Sequence, residues 1–127
     1  MGKLLRVRAC MVWAAIITVL LLSAGIDEAW PDPGAKPRPA VVVQSDLFNA
    51  THASVVVCLI TSHLEDAPLF RIPAPAGRGS GLKVPSQVMV DKVIAIPRNR
   101  ITAKTGVLAT DSLKAIDNAL RLWFELA

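Results

Sequence analysis

The chain has 127 residues, 53% of them hydrophobic, and its 14 Lys and Arg exceed its 10 Asp and Glu to give a net charge of +4. The hydrophobic content excludes an intrinsically disordered protein, and the length suits one domain with a modest core. Residues 30–127 carry 11 basic and 8 acidic residues, a surplus of +3. This surplus favours a local phosphate site over a long nucleic-acid track, although an ordinary basic surface would give the same balance.

The first 29 residues form an atypical hydrophobic segment. Three basic residues within positions 1–8 precede the uncharged run 9–26, a pattern typical of a secretory signal or a short membrane anchor. The run has 18 residues, slightly fewer than the roughly 20 that span a bilayer. Its β-branched residues 16–19 also suit a first strand. We favour this altered first strand, and we take residues 30–127 as the functional domain.

Prolines and two apolar runs organise the next part of the chain. Four prolines within residues 30–39 predict an extended linker. The runs 40–43 and 54–60 predict strands that are apolar throughout instead of alternating. Such strands are expected to be covered on both faces, here by the core of the domain on one and by a partner on the other.

Shorter strands and a loop are predicted after residue 68. Residues 69–72 predict a third strand, and the three glycines and two prolines of residues 73–81 predict a loop. Residues 87–90 and 93–96 predict two strands or one bent strand, which Pro97 ends.

The C-terminal tail predicts a helix. Thr110 is expected to cap its start, and Asp111 suits the positive end of the helix dipole. Apolar residues at helical spacing form one face that is expected to pack on a sheet: Leu113, Ile116, Leu120, Trp123 and Phe124.

Arg38 and Thr61 stand at the ends of the two apolar runs. Arg38 is flanked by Pro37 and Pro39, which restrict its backbone. Its planar guanidinium group stays charged and can bind two phosphate oxygens at once. The hydroxyl of Thr61, or of Ser62 as an alternative, can donate a hydrogen bond to a phosphate oxygen.

Histidine and cysteine give weaker signals. His63 follows Thr61 by two residues and His52 precedes it in a loop, so a histidine pair for acid and base work is conceivable, but solvated loop histidines are favoured. Cys58 lies within an apolar strand and is interpreted as a small buried hydrophobe. The sequence has neither a CxxC motif nor a His/Cys cluster, so no metal site is predicted.

An ordered series of motifs in residues 30–127 resembles the MazF/PemK family of toxin endoribonucleases within the CcdB-like superfamily. The series comprises RPAVVVQSDLFN at 38–49, the strand ending Ile60-Thr61-Ser62, PLFRI at 68–72, PSQV at 85–88 and the helical tail. The resemblance implies a mainly β fold, a small SH3-like barrel with a C-terminal α-helix. It also implies a homodimer, a cognate antitoxin and metal-independent cleavage of single-stranded RNA without a cofactor. We therefore expect a cytoplasmic protein, with membrane anchoring or export through residues 1–25 as the alternative.

The resemblance also implies roles for individual residues. Arg38 matches the family's catalytic arginine, and Thr61 matches its catalytic hydroxyl. Two positions depart from the family pattern: Asp32 lies six residues before Arg38 in an altered context, and Ser86 stands where many members have Asp before Gln87. Further candidates for catalysis or RNA binding are therefore Asp32, Ser62, His63, Ser86 and Gln87, and candidates for an RNA-binding loop are Arg71, Arg78 and Lys83.

Two alternative functions stay open at this point. The first is a noncatalytic toxin of the same superfamily that poisons DNA gyrase through its C-terminal helix, where Trp123 lies. The second is a decayed relative that keeps only the dimer and the antitoxin-binding surface. The combination of Arg38 with Thr61 favours the nuclease.

Overall fold

The computed structural model describes residues 18–22, 38–49 and 51–126. These residues form an antiparallel sheet of six strands in the order β4-β5-β3-β2-β1-β6. A short helix and a C-terminal helix accompany the sheet. The elements in chain order are β1 (Thr18–Leu22), β2 (Arg38–Val42), α1 (Asp46–Asn49), β3 (Ser54–Thr61), β4 (Arg71–Ala74), β5 (Ser86–Pro97), β6 (Ile101–Val107) and α2 (Thr110–Trp123).

Part of the N-terminal apolar run belongs to the sheet. β1 pairs with β2 on one side, in the register Val19↔Val41, and with β6 on the other. This strand lies before the domain boundary predicted at residue 30, so the sheet includes residues 18–22 of the segment that the sequence set apart. No helix in the described ranges is both long and apolar enough to cross a membrane.

Side chains of β2 and β3 fill two hydrophobic clusters, one on each face of the sheet. Val41 and Cys58 belong to the larger cluster, which includes buried residues of α2. Ala40 and Leu59 belong to the smaller cluster on the opposite face. All four side chains are at most 5% exposed within a single chain. The continuous apolar runs therefore reflect burial on both faces, as predicted, but this burial does not require the predicted partner.

The connection from β2 to β3 is held by Gln44. Its side-chain oxygen accepts a hydrogen bond from the Val56 backbone N–H at 3.2 Å, and its amide nitrogen donates to the Ser54 carbonyl at 3.4 Å. The backbone N–H of Val43 donates to the Val56 carbonyl at 3.0 Å. These bonds fix the relative position of β2 and β3 at the end where α1 connects them.

β5 is one bent strand, which confirms one of the two predicted alternatives. Its second half pairs with the start of β3 through Cys58↔Val93, and its first half pairs with the end of β3 through Ile60↔Val88. Four residues of β5 therefore lie opposite a single residue of β3, and such a bulge bends a strand.

The third predicted strand is shifted by two residues. Residues 69–72 were expected to be extended, but β4 is Arg71–Ala74, and Leu69 lies in the preceding turn with 65% of its surface exposed. The predicted loop therefore begins after Ala74 instead of at Pro73. Pro73 is compatible with a strand here because β4 is at the edge of the sheet, where no neighbour needs its missing N–H.

The loop of residues 75–85 joins the two edges of the sheet. It leaves β4 at one edge and bonds to β6 at the other, where the Val107 N–H donates to the Gly79 carbonyl at 2.8 Å. The Thr105 hydroxyl also donates to the Ser80 carbonyl at 3.3 Å. The loop thereby closes the sheet into the small barrel that the sequence predicted.

α2 packs on β4 and β5. Leu113, Ile116 and Leu120 are buried as predicted, but Trp123 and Phe124 are 48% and 51% exposed. The predicted cap is wrong, because Ala109 is the N-cap residue and no side chain bonds the first turn. Asp111 does lie in that first turn.

Gly106 offers a test of how the loop closes the barrel. A Cβ built at Gly106 would lie 2.1 Å from the Gly79 carbonyl oxygen, so Gly106→Ala must displace the loop from β6. We expect a loss of about 1–3 kcal/mol in the free energy of unfolding, the usual cost of overpacking. Urea denaturation of the parent and the variant measures this change in the free energy of unfolding. Gly77→Ala is the matched control, because a Cβ there meets nothing within 4 Å, and an equal loss in both variants would contradict this account of closure.

Candidate functional site

Three of the predicted residues lie in one row across the sheet. The pairing Ala40↔Leu59, continued by two residues toward the end of β3, places Arg38 level with Thr61. Thr61 pairs in turn with Gln87 of β5. Opposed residues of neighbouring antiparallel strands project from the same face, so Arg38, Thr61 and Gln87 share the face of the smaller hydrophobic cluster.

A cleft of about 810 Å³ opens at this end of the sheet. Its floor is apolar and includes Pro39, Leu59 and Met89. Its polar and charged lining consists of Arg38, Thr61, Ser62, His63, Glu65, Arg71, Lys83, Ser86, Lys92 and Thr105. Four of these residues are Arg or Lys, whereas Glu65 is the one carboxylate among the described lining residues, so the cleft suits an anionic ligand.

The end of β3 orients the Thr61 hydroxyl. Its oxygen accepts a hydrogen bond from the backbone N–H of His63 at 3.0 Å, a turn that threonine commonly forms with the residue two positions ahead. The hydroxyl proton is then directed away from the His63 N–H and can be donated to a ligand oxygen. Ser62 and His63 continue the rim of the cleft as exposed residues.

Gln87 binds the segment that follows β3. Its side-chain oxygen accepts a hydrogen bond from the Glu65 backbone N–H at 3.0 Å, and its amide nitrogen donates to the Glu65 carbonyl at 2.9 Å. The oxygen and the nitrogen of the Gln87 amide are thus both hydrogen-bonded to the backbone of Glu65. Gln87 does not line the cleft itself, although it was a candidate for catalysis or RNA binding.

Arg71 is held between two carboxylates. Its guanidinium lies 3.6 Å from Glu65 and 3.7 Å from Asp91, and only 10% of its side chain is exposed. The sequence made Arg71 a candidate for an RNA-binding loop, whereas the structure places it in β4 against the wall of the cleft. Its Nε and the Asp91 Oδ1 are buried without a hydrogen-bond partner, so the pair interacts by charge at close range.

The other candidates are dispersed. Ser86 lines the cleft but is buried, and its hydroxyl donates to the Val84 carbonyl at 2.9 Å. Lys83 lines the cleft, whereas Arg78 is exposed in the same loop outside the cleft lining. Asp32 lies outside the described residues.

Two charged residues of the cleft were missed by the sequence reasoning. Glu65 follows Thr61 by four residues, but its position depends on Gln87, 22 residues away. Lys92 reaches the cleft because of the bend in β5. A search for carboxylates just beyond the Thr61 strand end would have found Glu65, whereas no sequence pattern locates the bend.

Cys58 is buried in the larger hydrophobic cluster. Burial raises the pKa of its thiol to about 12, and the nearby Asp91 carboxylate adds to the rise. Such a thiol stays neutral and is a poor nucleophile at neutral pH. In the described part of the chain no three His, Cys, Asp or Glu side chains are grouped so that they could hold a metal ion.

The chain matches a known family over most of its length. The family model of the PemK-like, MazF-like toxins of type II toxin-antitoxin systems matches residues 17–124. The chain belongs to this PemK/MazF toxin family. It is 40% identical over 92 residues to a protein of Mycolicibacterium smegmatis named "Probable endoribonuclease MazF", an alignment that covers 72% of this chain and 84% of the relative.

Solved structures of PemK/MazF proteins have the same fold. The Mycobacterium tuberculosis toxin MazF-mt6 superposes with a TM-score of 0.70 at 21% identity, over 87% of this chain and 98% of that one. An endoribonuclease from a mycobacterial species, solved in complex with its cognate antitoxin, gives 0.66 at 17% identity, over 87% and 93% of the two chains. The mainly β barrel with a C-terminal helix is therefore the family fold.

The reactivity of Cys58 is testable with a thiol reagent. In a Cys10→Ser variant, Cys58 is the sole cysteine, and a rise in its pKa from 9.0 to about 12 lowers the thiolate fraction about a thousandfold. We expect iodoacetamide to label the native protein far more slowly than the urea-unfolded chain at pH 8. Because folding favours the neutral thiol, ionisation should destabilise the fold only as the pH rises above about 9. Rapid native labelling would contradict the buried placement.

Proposed function

We propose that this protein is the toxin of a type II toxin-antitoxin system and cleaves single-stranded RNA without a metal ion. The observation that carries the proposal is the placement of Arg38 level with Thr61 at the mouth of a basic cleft. The endoribonuclease name of the M. smegmatis relative supports the same activity. Because RNA is an intracellular substrate, we place the protein in the cytoplasm.

In the proposed reaction the ribose 2′-hydroxyl attacks the adjacent phosphorus. A bond forms between O2′ and phosphorus, the bond to O5′ breaks, and the products are a 2′,3′-cyclic phosphate and a 5′-hydroxyl. The transition state carries extra negative charge on the phosphoryl oxygens. Groups already placed where this charge develops stabilise the transition state more than the substrate.

Arg38 supplies that stabilisation. It is an exposed residue at the first position of β2, so its side chain is accessible at the cleft while its backbone is fixed by pairing with β1 at Leu22. The guanidinium can bind two phosphoryl oxygens at once. Thr61 donates its hydroxyl proton to a further oxygen, because the hydroxyl oxygen is already an acceptor for His63 N–H.

The remaining basic residues bind the flanking RNA. Lys83 and Lys92 line the cleft, and Arg78 extends the same loop outward, so they contact phosphates on either side of the scissile bond. Ser62 is an exposed lining residue and contacts the nucleotide, whereas the hydroxyl of the buried Ser86 is donated to the Val84 carbonyl. Aromatic stacking partners are sparse, with 5% aromatic residues and no Tyr in the chain, so base recognition rests on hydrogen bonds from loops.

The proposed partners are a cognate antitoxin and a second copy of the chain. The mycobacterial structure with its cognate antitoxin supports the first. Exposed apolar side chains at the end of α2 support a protein-binding surface there: Leu122, Trp123, Phe124 and Leu126. We propose residues 30–127 as the toxin domain, and the pairing of Thr18–Leu22 with β2 and β6 supports counting that strand with it.

Cleavage in excess chelator tests the proposed function. Purified protein should cut RNA at the same sites with and without EDTA, and end mapping should give 2′,3′-cyclic phosphate and 5′-hydroxyl termini. Loss of cleavage in EDTA would overturn the metal-free mechanism. No cleavage of any RNA, combined with inhibition of gyrase supercoiling, would establish the noncatalytic alternative.

Substitution of Arg38 tests its role. Arg38→Ala should lower kcat about a hundred- to a thousandfold, equivalent to about 2.7–4 kcal/mol of lost transition-state stabilisation. Arg38→Lys should recover only part of the lost kcat, because the lysine ammonium does not reproduce the bidentate contact of the guanidinium. Lys114→Ala removes one positive charge from an exposed position on α2 outside the cleft, and its rate should stay unchanged. Equal rates for Arg38→Ala and the parent would exclude Arg38 as the catalytic cation.

A further inference from the structure

The segment after Thr61 carries a histidine and a carboxylate into the cleft. His63 and Glu65 both line it. The segment is anchored twice: the His63 N–H donates to the Thr61 hydroxyl at 3.0 Å, and the Glu65 backbone is held at both its N–H and its carbonyl by Gln87. Because Gln87 is the strand partner of Thr61, these bonds tie the segment directly to the end of β3.

The Glu65 carboxylate lies between a guanidinium and an imidazole. One oxygen is 3.6 Å from Arg71, and the other is 3.8 Å from the His63 Nε2. Arg71 is only 10% exposed and forms a second ion pair with Asp91 at 3.7 Å. Arg71 therefore fixes the Glu65 carboxylate at the wall of the cleft. His63 is 81% exposed and lies on the open side. The imidazole is therefore much more accessible than Arg71 to a ligand in the cleft.

We infer that His63 is the general acid of RNA cleavage and that Glu65 is the residue that positions it. This inference rests on the proposed function. In the reaction, the imidazolium gives its proton to O5′ as the bond from phosphorus to O5′ breaks. The proton of the attacking 2′-hydroxyl passes to water, and His63 regains a proton from solvent, so the cycle balances.

The chemistry of the cleft supports this assignment. Histidine is the side chain that most often exchanges protons in catalysis near neutral pH. The other cationic lining groups are Arg38, Arg71, Lys83 and Lys92, and guanidinium and ammonium groups in such a cleft serve to bind anions. A carboxylate beside an imidazole holds the ring in one orientation. The separation of 3.8 Å is longer than a hydrogen bond, but such contacts commonly tighten when substrate binds.

A change of leaving group distinguishes a general acid from other roles. An RNA oligonucleotide is made with the mapped cleavage site and sulfur in place of the bridging O5′. The thiolate leaves without needing a proton, because thiols are far more acidic than alcohols. A variant that lacks only the general acid should therefore cut the sulfur substrate almost as fast as the parent, whereas it should cut the oxygen substrate slowly.

We expect His63→Asn to lower kcat on the oxygen substrate by about 10²–10⁴-fold, the usual contribution of a general acid. The sulfur substrate should restore most of the lost rate. Glu65→Gln should lower kcat less than His63→Asn does, with KM little changed. The sulfur substrate should restore kcat in this variant as well. The double variant should have the same kcat as His63→Asn alone. If Glu65 acts only through His63, its substitution has no further effect once the imidazole is gone.

His52 provides the matched control. It is an exposed loop histidine that bonds Ser54 and does not line the cleft. Asparagine can accept the same hydrogen bond from the Ser54 N–H, so His52→Asn should match the parent on both substrates. Thermal unfolding of every variant checks that the fold is kept.

The possible outcomes separate the inference from the function on which it rests. If the parent makes 2′,3′-cyclic ends and His63→Asn is equally fast on the oxygen substrate, the inference is wrong and the function stands. If His63→Asn is slow on both substrates, His63 is not the general acid. If only Glu65→Gln fails to recover with sulfur, its positioning role is wrong. If the parent cuts no RNA, the proposed function fails instead.

Discussion

The pairing of β2 with β3 is the constraint on which the cleft depends. Both strands are apolar on both faces, so alternation of polar and apolar residues does not select one register over its neighbours. Gln44 selects the register, because its side-chain amide hydrogen-bonds the backbone of Val56 and Ser54 at the α1 end of the strand pair. Once that end is fixed, Arg38 lies level with Thr61 at the other end. The geometry of the site is thus set by a polar contact remote from it.

The bend of β5 arranges the charges around that pair. Because four residues of β5 lie opposite one residue of β3, Gln87 lies beside Thr61 while Asp91 lies beside Arg71. Gln87 binds the backbone of Glu65, and Asp91 holds the arginine that contacts the Glu65 side chain. One irregularity in a strand therefore organises both the backbone and the carboxylate of the same residue.

The sequence predicted the strands that carry Arg38 and Thr61 because their apolar runs end in polar residues. It missed β6, since only Ile101 and Val107 at its ends are strongly apolar and Gly106 breaks the pattern. It predicted the packed face of α2 correctly as far as Leu120, but helical periodicity does not indicate where the underlying sheet ends, so Trp123 is partly exposed. Glu65 could be singled out as a carboxylate just beyond the Thr61 strand end, but its place in the cleft depends on a tertiary contact with Gln87.

The loop of residues 75–85 both closes the barrel and lines the cleft. Gly79 and Ser80 bond the edge strand and close the barrel, while Leu82, Lys83 and Val84 of the same loop line the cleft. Leu82 is buried in the larger hydrophobic cluster and the Ser80 hydroxyl bonds the loop's own backbone, whereas Lys83 and Val84 are exposed at the cleft. Changes in ligand selection are therefore expected to accumulate at positions 83 and 84, where a new side chain alters the cleft without loosening the closure of the barrel.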